Sequence, residues 1–474
     1  MNAFQLSKKV NKNKVFLIGK NQIENRLDPF YYIPELVELE KIVTKSIPHK
    51  LLHYAKSVSS GATPKISESE KYYTDEESGI PFLRVQNLSP TGNLNYHNLK
   101  YINEETHNGM LGRSKIKGGD LLIKITGVGR MAVSSVAPKG IEGNVNQHMV
   151  VMKTDSPETS HVIAAYLNSD IGEKLASRRT TGGTRPALDY PALLSIPIIY
   201  DTRILEITRA AVHKKEVNDQ ETKDLLTSID DYFLEELGIK LPSKETDLQS
   251  RMFTTQFSDT TESRYDPFYH QKFFTEILKS VQNSKYSSRK IADIIAGNLV
   301  KGRLPNAAQK VGPCQVVQIS SIESNGTINT EELLTSQDIF TKDQQLFNND
   351  ILIVITGATI GKIAYWDLEG EYFLGGDIVK FQTSGNANPY FVFNYLLSEL
   401  AQIQINRNIT GATNGHLAPI DVKNMLIPLP SMEKQTKIAN HIRKIRDKAK
   451  QLQQEADNEL TKANIEVEKI ILDK

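Results

Sequence analysis

The feature that most constrains this chain is an ordered internal repeat, because landmarks of its first half return in its second half. The landmarks are RLDPFYY (26–32) and RYDPFYH (264–270), GDLLIKITG (119–127) and NDILIVITG (349–357), and TGGTRPAL (181–188) and TGATNGHL (410–417). Their offsets of 229 to 238 residues far exceed a solenoid unit of roughly 20 to 50 residues. The repeat therefore predicts two similar domains, which also suits a chain of 474 residues.

Within each half the local pattern is mixed, with short strands rich in Ile, Val and Leu between turns and a few helices. Amphipathic helices are predicted near each start, at 35–47 and 273–282. A second helix is predicted just before each Thr-Gly loop, at 163–177 and 390–405. We expect an α/β (α+β) fold in which each loop lies on a flexible segment after a helix.

Each half ends in a long polar helix pattern. The clearer one has apolar residues at a nearly strict 4,3 spacing, which is typical of a coiled-coil seam. These residues are Ile438, Ile442, Ile445, Ala449, Leu452, Ala456, Ala463, Val467 and Ile470. The central pattern is weaker, with Ile204, Ile207, Ala211, Leu225, Ile229, Tyr232 and Phe233 around a polar middle. We expect the two helices to pair antiparallel and to separate two domains related by a pseudo-two-fold repeat. The predicted boundaries are 1–200, first domain; 201–240, central spacer helix; 241–262, linker; 263–432, second domain; and 433–474, C-terminal spacer helix.

Composition narrows the class of protein. No apolar run approaches the roughly 20 residues of a membrane span, and no secretory signal pattern opens the sequence. The single cysteine, Cys314, suits a reducing cytoplasm and argues against a disulfide scaffold or zinc cluster. A net charge of +1 is low for a DNA-binding protein. Basic residues nevertheless concentrate at 113–139 and 178–185.

The chain resembles the specificity subunits of type I restriction-modification systems. The resemblance is carried by SGATPK (60–65), IPFLRVQNL (80–88), GDLLIKITG, NQHMVVMK (146–153), TTGGTRPALDYPALLSIPI (180–198) and IPLPSMEKQTKIANHI (427–442), which touch both halves. One departure is IPIIYDTRILEITRAAV after the first domain, where the family usually shows a Pro-Leu-Pro-type segment followed by Glu-Gln. Because of that departure, we do not assign the family's partner-contact residues to the central helix.

The resemblance implies a non-catalytic protein with two target-recognition domains, each reading half of a split double-stranded DNA site. It also implies two adenine methyltransferase partner subunits docked on the helices, and two motor nuclease subunits in systems that also restrict. S-adenosylmethionine, ATP and Mg²⁺ are then expected on those partners, with no cofactor or metal on this chain. The bases read, the gap between half-sites and the presence of restriction do not follow from the sequence.

Several strings imitate catalytic motifs. NPYF (388–391) and the two DPFY strings lack the second proline of the amino-methyltransferase motif, so Asp or Asn before Pro is predicted to cap a helix. GATIGKI (357–363) has three residues between its glycines and Ile363 where a phosphate loop needs Ser or Thr. We predict a turn between two strands there, and turn roles for Asp120 and Asp350.

Base-reading candidates are donor-bearing or amide side chains on loops, because these can discriminate base edges in the major groove. The candidates are Arg84, Gln86, Lys124, Arg130, Arg178, Arg179, Arg185, Gln318, Lys362, Arg407, Asn414 and His416. Those at 178–185 and 407–416 are favoured. Two rival interpretations stay open, a coiled-coil adaptor whose globular halves bind protein and a stand-alone DNA methyltransferase or nuclease.

Overall fold

The computed structural model describes residues 9–24, 26–242, 252–257, 260, 264–306, 312–411 and 415–473. It divides into two compact units, Met1–Asp219 with Gln453–Lys474, and Gln220–Leu452. Each unit combines sheets with helices, which confirms the predicted mixed α/β class. Among the described residues, no helix is both long and apolar enough to cross a membrane.

The helices and strands have the following bounds. The helices are α1 (Pro34–Thr44), α2 (Leu51–Tyr54), α3 (Ser69–Tyr72), α4 (Glu104–Asn108), α5 (Pro157–Asn168), α6 (Asp170–Arg178), α7 (Tyr190–Leu194), α8 (Thr202–Leu237), α9 (Lys272–Gln282), α10 (Pro389–Leu397), α11 (Glu399–Asn408), α12 (Pro419–Asn424) and α13 (Met432–Leu472). The strands of the first unit are β1 (His49–Lys50), β2 (Ser57–Ser60), β3 (Tyr73–Thr74), β4 (Ile80–Leu83), β5 (Lys100–Ile102), β6 (Lys115–Ile116), β7 (Leu121–Lys124), β8 (Ser134–Val136), β9 (Gly143–Val145), β10 (Met149–Lys153) and β11 (Pro197–Ile198). Those of the second unit are β12 (Ser288–Lys290), β13 (Ile295–Lys301), β14 (Cys314–Val317), β15 (Leu334–Ser336), β16 (Ile351–Val354), β17 (Ile363–Tyr365), β18 (Tyr372–Leu374), β19 (Ile378–Thr383) and β20 (Leu426–Pro428).

A four-stranded antiparallel sheet repeats in the two units. Its strand order is β2-β10-β7-β8 in the first unit and β13-β19-β16-β17 in the second. The repeated motif at 119–127 and 349–357 supplies the central strands β7 and β16. The sequence repeat therefore encodes a structural repeat, as predicted.

The central strands are continuous apolar runs because both faces of this sheet are covered. In β7, Leu121 and Ile123 pack in the cluster that contains helix α5, whereas Leu122 packs with residues of the second sheet. In β16, Ile351 and Ile353 likewise pack with α10 and α11, and Leu352 packs in the cluster of β14. Alternation along each strand thus places helices on one face and a second sheet on the other.

The second sheet differs between the units. It has five strands, in the order β3-β5-β4-β9-β6, in the first unit and three, in the order β15-β14-β18, in the second. The repeat is therefore close in the helix-covered layer and divergent in the outer layer.

The helix before each Thr-Gly loop is broken, which corrects the single helix predicted at 163–177 and 390–405. Ser169 separates α5 from α6 and Ser398 separates α10 from α11, both with extended backbone. The Ser169 hydroxyl accepts a hydrogen bond from the N–H of Gly172 at 3.0 Å and so caps α6. Apolar periodicity continues across the break, which is why the pattern predicts one helix.

Helices α8 and α13 run antiparallel where they meet within a unit. In the second unit, Glu236 of α8 forms an ion pair with Lys434 of α13, and the Thr222 hydroxyl donates to the carbonyl of Ala449. In the first unit, Ile204 and Val467 share a core cluster. The predicted antiparallel pairing is confirmed within each unit.

The polar middle of α8 explains its weak seam. Asn218 and Thr222 are buried there, although neither is apolar. At the end of α13, Ile471 is buried and Ile470 is only partly buried, which shifts the predicted seam by one residue.

Asp120 and Asp350 form the same turn in the two units, as predicted. Each carboxylate accepts a hydrogen bond from the backbone N–H three residues earlier, at 2.8 Å from Lys117 and 2.9 Å from Phe347. Asp350 also forms a buried ion pair with Lys380 at 2.8 Å. Asp120 forms no such ion pair within the part of the chain that the structure describes, and burial raises its pKa.

Replacing Lys380 by Met should therefore destabilise the second unit. The substitution leaves the Asp350 carboxylate buried without its counter-charge, which costs about 3–5 kcal/mol in comparable sites. Chemical denaturation should show the loss, and the double variant K380M/D350N should recover part of it. Lys342→Met removes an exposed lysine of the same unit and serves as the control. A loss no larger than that of the control would show that the pair does not stabilise the unit.

Candidate nucleic-acid interface

Two segments of the first unit are joined where strand β7 ends. Thr181 and Ala187 exchange backbone hydrogen bonds of 2.9 and 2.8 Å and so close the Thr-Gly loop. The N–H of Leu188 donates to the carbonyl of Ile125 at 2.8 Å, and the N–H of Gly127 donates to the carbonyl of Pro186 at 3.0 Å. These bonds fix the loop against the end of the strand.

The second unit repeats this network bond for bond. Thr410 and His416 exchange hydrogen bonds of 2.9 and 2.7 Å. The N–H of Leu417 donates to the carbonyl of Ile355 at 2.8 Å, and the N–H of Gly357 donates to the carbonyl of Gly415 at 3.2 Å. The most similar parts of the repeat therefore encode one loop geometry.

A third segment, the turn before β10 or β19, joins the same place. The N–H of Ile125 donates to the carbonyl of His148, and the N–H of Ile355 donates to that of Asp377, both at 2.9 Å. We call the three joined segments the loop tip. Its described residues are 125–128, 146–148 and 181–188 in the first unit, and 355–358, 375–377, 410–411 and 415–417 in the second.

Glycine is required where the loop tip turns most sharply. Gly127 and Gly357 have φ of +121° and +93°, and Gly182 and Gly411 have φ of +90° and +94°. Such angles are strained for residues with a Cβ atom. Conservation of these four glycines across the repeat is therefore a consequence of backbone geometry.

The first loop tip exposes hydrogen-bond donors. Arg185 is exposed, and its Nη2 lies 3.0 Å from Nε2 of His148. Burial and the charge of Arg185 both lower the pKa of His148 below its usual value near 6.5. His148 is therefore neutral at pH 7 and can accept the hydrogen bond from Arg185.

The second loop tip carries different side chains on the same backbone hydrogen-bond network. His416 is exposed, with Nδ1 3.3 Å from the hydroxyl oxygen of Thr356. Asp377, which stands at the position of His148, is partly buried. Asn414 lies outside the described residues.

A duplicated arginine holds the entrance of each loop. Arg26 donates to the carbonyls of Arg179 and Thr180 at 2.9 and 2.6 Å. Arg264 donates to the carbonyls of Asn408 and Ile409 at 3.0 and 3.2 Å. These carbonyls end a helix and have no partner within it, so a cation there is favourable. The repeated RxDPFY segment thus binds the N-terminal part of each domain to the Thr-Gly loop of that domain.

Arg178 and Arg179 are not base readers in this structure, which corrects a favoured prediction. Both are buried and both pair with Glu40, while Arg178 Nε donates to the carbonyl of Tyr31 at 2.9 Å. The two arginines were predicted to lie on a flexible basic loop, but they stabilise the end of α6 instead.

Arg407 plays the same structural part in the second unit. Its Nε donates to the carbonyl of Tyr269 at 3.0 Å, and its guanidinium lies 3.8 Å from the centre of the Tyr269 ring. Arg178 stacks on Tyr31 in the same way, at 4.0 Å. Arg407 is therefore held by the fold in the same way as Arg178, and its part in base reading stays a prediction.

Four more candidates bind backbone carbonyls within their own unit. Lys124 is buried and donates to Val128, and Lys362 donates to Ile322, both at 2.7 Å. Arg84 donates to Asn98 at 2.6 Å, and Gln318 makes the equivalent bond to Glu332 at 2.9 Å. These side chains are occupied by the fold.

The other two candidates are exposed but lie outside the loop tip. Arg130 forms an ion pair with Asp170 at 2.7 Å and donates to the carbonyl of Asn168, again at 2.7 Å. Gln86 is exposed in the turn after β4. Of the favoured segments, the structure thus brings Arg185 and His416 to the loop tips.

His148 and Asp377 were not among the residues predicted from the sequence. Aligning 146–151 with 375–380 at the offset of the Thr-Gly loops would have placed both beside those loops. The two segments share few letters, so the repeat is hard to see there.

Of the strings that resemble catalytic motifs, NPYF begins helix α10 and DPFY (28–31) begins a short 3₁₀ helix, Pro29–Tyr32, as predicted. DPFY (266–269) enters a turn instead of the predicted helix. Asp28, Asp266 and Asn388 each accept a hydrogen bond from the backbone N–H three residues later, as N-caps do. GATIGKI lies in the turn between the antiparallel strands β16 and β17. Across the described ranges, no group of three His, Cys, Asp or Glu side chains is arranged to hold a metal ion.

Replacing Arg264 by Met should destabilise the second unit by roughly 2 kcal/mol or more. Two helix-end carbonyls lose a charged donor, and hydrogen bonds to charged groups contribute about 1.5–3 kcal/mol each. Denaturation midpoints would report the loss. Arg289→Met removes an exposed arginine of the same unit and is the matched control. Equal midpoints for the two variants would contradict the role assigned to Arg264.

Comparisons with known proteins give one family match. Residues 283–462 match the family model of the type I restriction modification DNA specificity domain. No curated protein matches the chain.

Several solved structures align with most of the chain. One, from a type I R-M system described for its complex assembly and conformational transition, is 13% identical, covers 90% of this chain and 96% of that chain, and has a TM-score of 0.47. The type I restriction-modification S subunit from M. genitalium is 13% identical, with coverage of 89% and 94% and a TM-score of 0.40. The HsdS subunit from Thermoanaerobacter tengcongensis is 13% identical, with coverage of 90% and 95% and a TM-score of 0.31. The family match is confined to residues 283–462, so it is this segment that is similar to the type I restriction modification DNA specificity domain.

Proposed function

We propose that this chain is a DNA-sequence specificity subunit that reads a split double-stranded site, one half with each loop tip. The observation that carries the proposal is the duplicated loop tip. The same hydrogen-bond network presents polar side chains in both units, but the side chains differ. One hydrogen-bond network with two sets of side chains suits the reading of two different half-sites.

The chemistry of the first loop tip fits a base edge. A guanidinium offers paired donors, which match the N7 and O6 acceptors of guanine in the major groove. Arg185 is exposed and is held by His148, so its orientation is restricted before DNA binds. Pre-ordering of this kind reduces the entropy lost on binding.

Phosphate contacts are expected from exposed basic residues away from the tip. Arg113, Lys117 and Lys139 are exposed in the first unit. The net charge of +1 nevertheless limits the electrostatic attraction to DNA. We propose that the isolated chain binds DNA weakly and that partner subunits supply much of the phosphate contact. Tight specific binding by the purified chain alone would contradict this.

The proposed partners are two adenine methyltransferase subunits, with two motor nuclease subunits added where restriction accompanies modification. S-adenosylmethionine, ATP and Mg²⁺ would then bind to those partner subunits. A duplicated apolar surface supports binding of one partner in two copies. Leu27 is 84% exposed and Phe30 46%, and their repeat equivalents Tyr265 and Phe268 are 73% and 48% exposed.

Helices α8 and α13 are proposed to set the gap between the half-sites. Their 36 and 41 residues correspond to lengths of roughly 54 and 62 Å at 1.5 Å per residue. DNA rises about 3.4 Å per base pair. Helices of this length are compatible with several unread base pairs between the two half-sites.

A coiled-coil adaptor that binds only protein is the alternative from another class. It predicts no sequence preference on DNA, whereas specific binding should weaken with salt according to the number of phosphates contacted. A stand-alone methyltransferase is the less favoured alternative. Saturable binding of S-adenosylmethionine by the isolated chain would support it.

The loop tip can be tested in the complex purified through a tag on this chain. Arg185→Ala should lower the preference for one base pair of one half-site by roughly 10-fold to 100-fold, since a bidentate contact is worth about 1–3 kcal/mol. Selection from a DNA library randomised over both half-sites measures this. Arg289→Ala makes the same charge change on the second unit and should leave that base pair unaffected. Unchanged selection by the Arg185 variant would remove this residue from the interface.

The apolar surfaces can be tested separately. Leu27→Asp and Tyr265→Asp should each reduce the number of bound methyltransferase subunits from two to one, and the double variant should bind none. Native mass spectrometry of the purified complex counts the subunits. Ile66→Asp and Ile339→Asp change residues that are 85% and 87% exposed in the same units, and these controls should keep both subunits. Full occupancy in the double variant would exclude this docking surface.

A further inference from the structure

We propose that His148 and Asp377 determine which kind of base edge each unit reads. The first loop tip would select a base edge that offers acceptors, as guanine does. The second would select an edge that offers an exocyclic amine, of which cytosine N4 is the usual partner of aspartate. This inference rests on the proposed function and specifies the substrate chemistry of the same two sites.

The two residues occupy equivalent positions. Each carbonyl accepts a hydrogen bond of 2.9 Å from the residue that follows the central strand, Ile125 or Ile355. Each residue precedes a strand, β10 or β19, that pairs antiparallel with that central strand. The two positions therefore share the same pairing but present different side chains, and only Asp377 has a left-handed backbone.

The first loop tip is a donor site. Its residues include no carboxylate. His148 accepts a hydrogen bond from Nη2 of Arg185. This contact sets the direction of the other N–H groups of the exposed guanidinium. A guanidinium carries only donors, so its complement on DNA is an edge with acceptors.

The second loop tip offers an acceptor instead. An ionised carboxylate accepts hydrogen bonds and donates none. The Asp377 side chain is partly exposed, and its carboxylate forms no hydrogen bond or ion pair with the residues that the structure describes. A carboxylate close to DNA phosphates is electrostatically unfavourable unless it accepts a hydrogen bond from a donor. The amine edge of a base is the donor available in the major groove.

The backbone at Asp377 gives a second reason to assign it a role. Its φ is +63°, in the left-handed region, where residues other than glycine are uncommon. The two preceding residues, Gly375 and Gly376, are glycines, so the chain uses glycine freely in this turn but not at this position. Aspartate tolerates this conformation better than most residues, and its use here in place of a third glycine fits a need for its side chain.

Asp377→Asn separates base reading from a purely structural role. Asparagine tolerates the left-handed conformation about as well as aspartate does, so the turn and the thermal stability should be kept. The amide adds a donor to the remaining acceptor, a pair that matches adenine. The variant should therefore prefer adenine over cytosine at one position of one half-site.

The experiment selects DNA from a library randomised over both half-sites, using the complex purified through a tag on this chain. For D377N we expect discrimination at one position to change by roughly 10-fold or more, while the other half-site stays as in the wild type. Asp367→Asn makes the same charge change at an exposed position of the second unit and is the control.

Three outcomes are distinguishable. A shift confined to one position with D377N and absent with D367N supports the inference. A wild-type complex that selects a split site, together with a D377N complex that selects the identical site, overturns the inference but leaves the proposed function standing. A wild-type complex that selects no sequence overturns the proposed function itself.

Discussion

The attachment of each Thr-Gly loop to the end of a central strand is the constraint on which the rest of this structure depends. Four backbone hydrogen bonds close the loop and fix it to the strand in each unit. The arginine that begins RxDPFY then binds the carbonyls at the loop entrance, by Arg26 in one unit and Arg264 in the other. Because backbone atoms form the network, the side chains at the tip can differ without altering it.

Some basic side chains of this chain are buried and stabilise the fold, whereas others are exposed at the loop tip. Arg178, Arg179 and Lys124 are buried and bind carbonyls or Glu40, so they stabilise the layer beneath the loop. Arg185, only six residues beyond Arg179, is exposed at the tip. Basic residues at the end of helix α6 are therefore buried, and the basic residue beyond it in the loop is exposed.

Much of the fold could be predicted from the sequence because the repeat and the apolar periodicities are local signals. They predicted the two similar units, the central strands β7 and β16, helix α1 and the long helices close to their observed bounds. The break at Ser169 was missed because apolar spacing continues through it. The site was harder. Whether Arg178 or Arg185 reaches solvent depends on Glu40 and Tyr31, which lie far away in sequence. His148 was missed because its neighbours are joined to it by tertiary pairing alone.

The central claim is that this chain supplies the sequence specificity of a DNA-modifying complex. The most direct measurement is a genome-wide map of N6-methyladenine in cells with this gene and in cells from which it has been deleted. If the chain has this role, one split motif with a fixed gap should lose its methylation on deletion and regain it when the gene is returned. If the gene and its methyltransferase partners are expressed and no motif changes, the account is contradicted and the protein-binding adaptor is favoured.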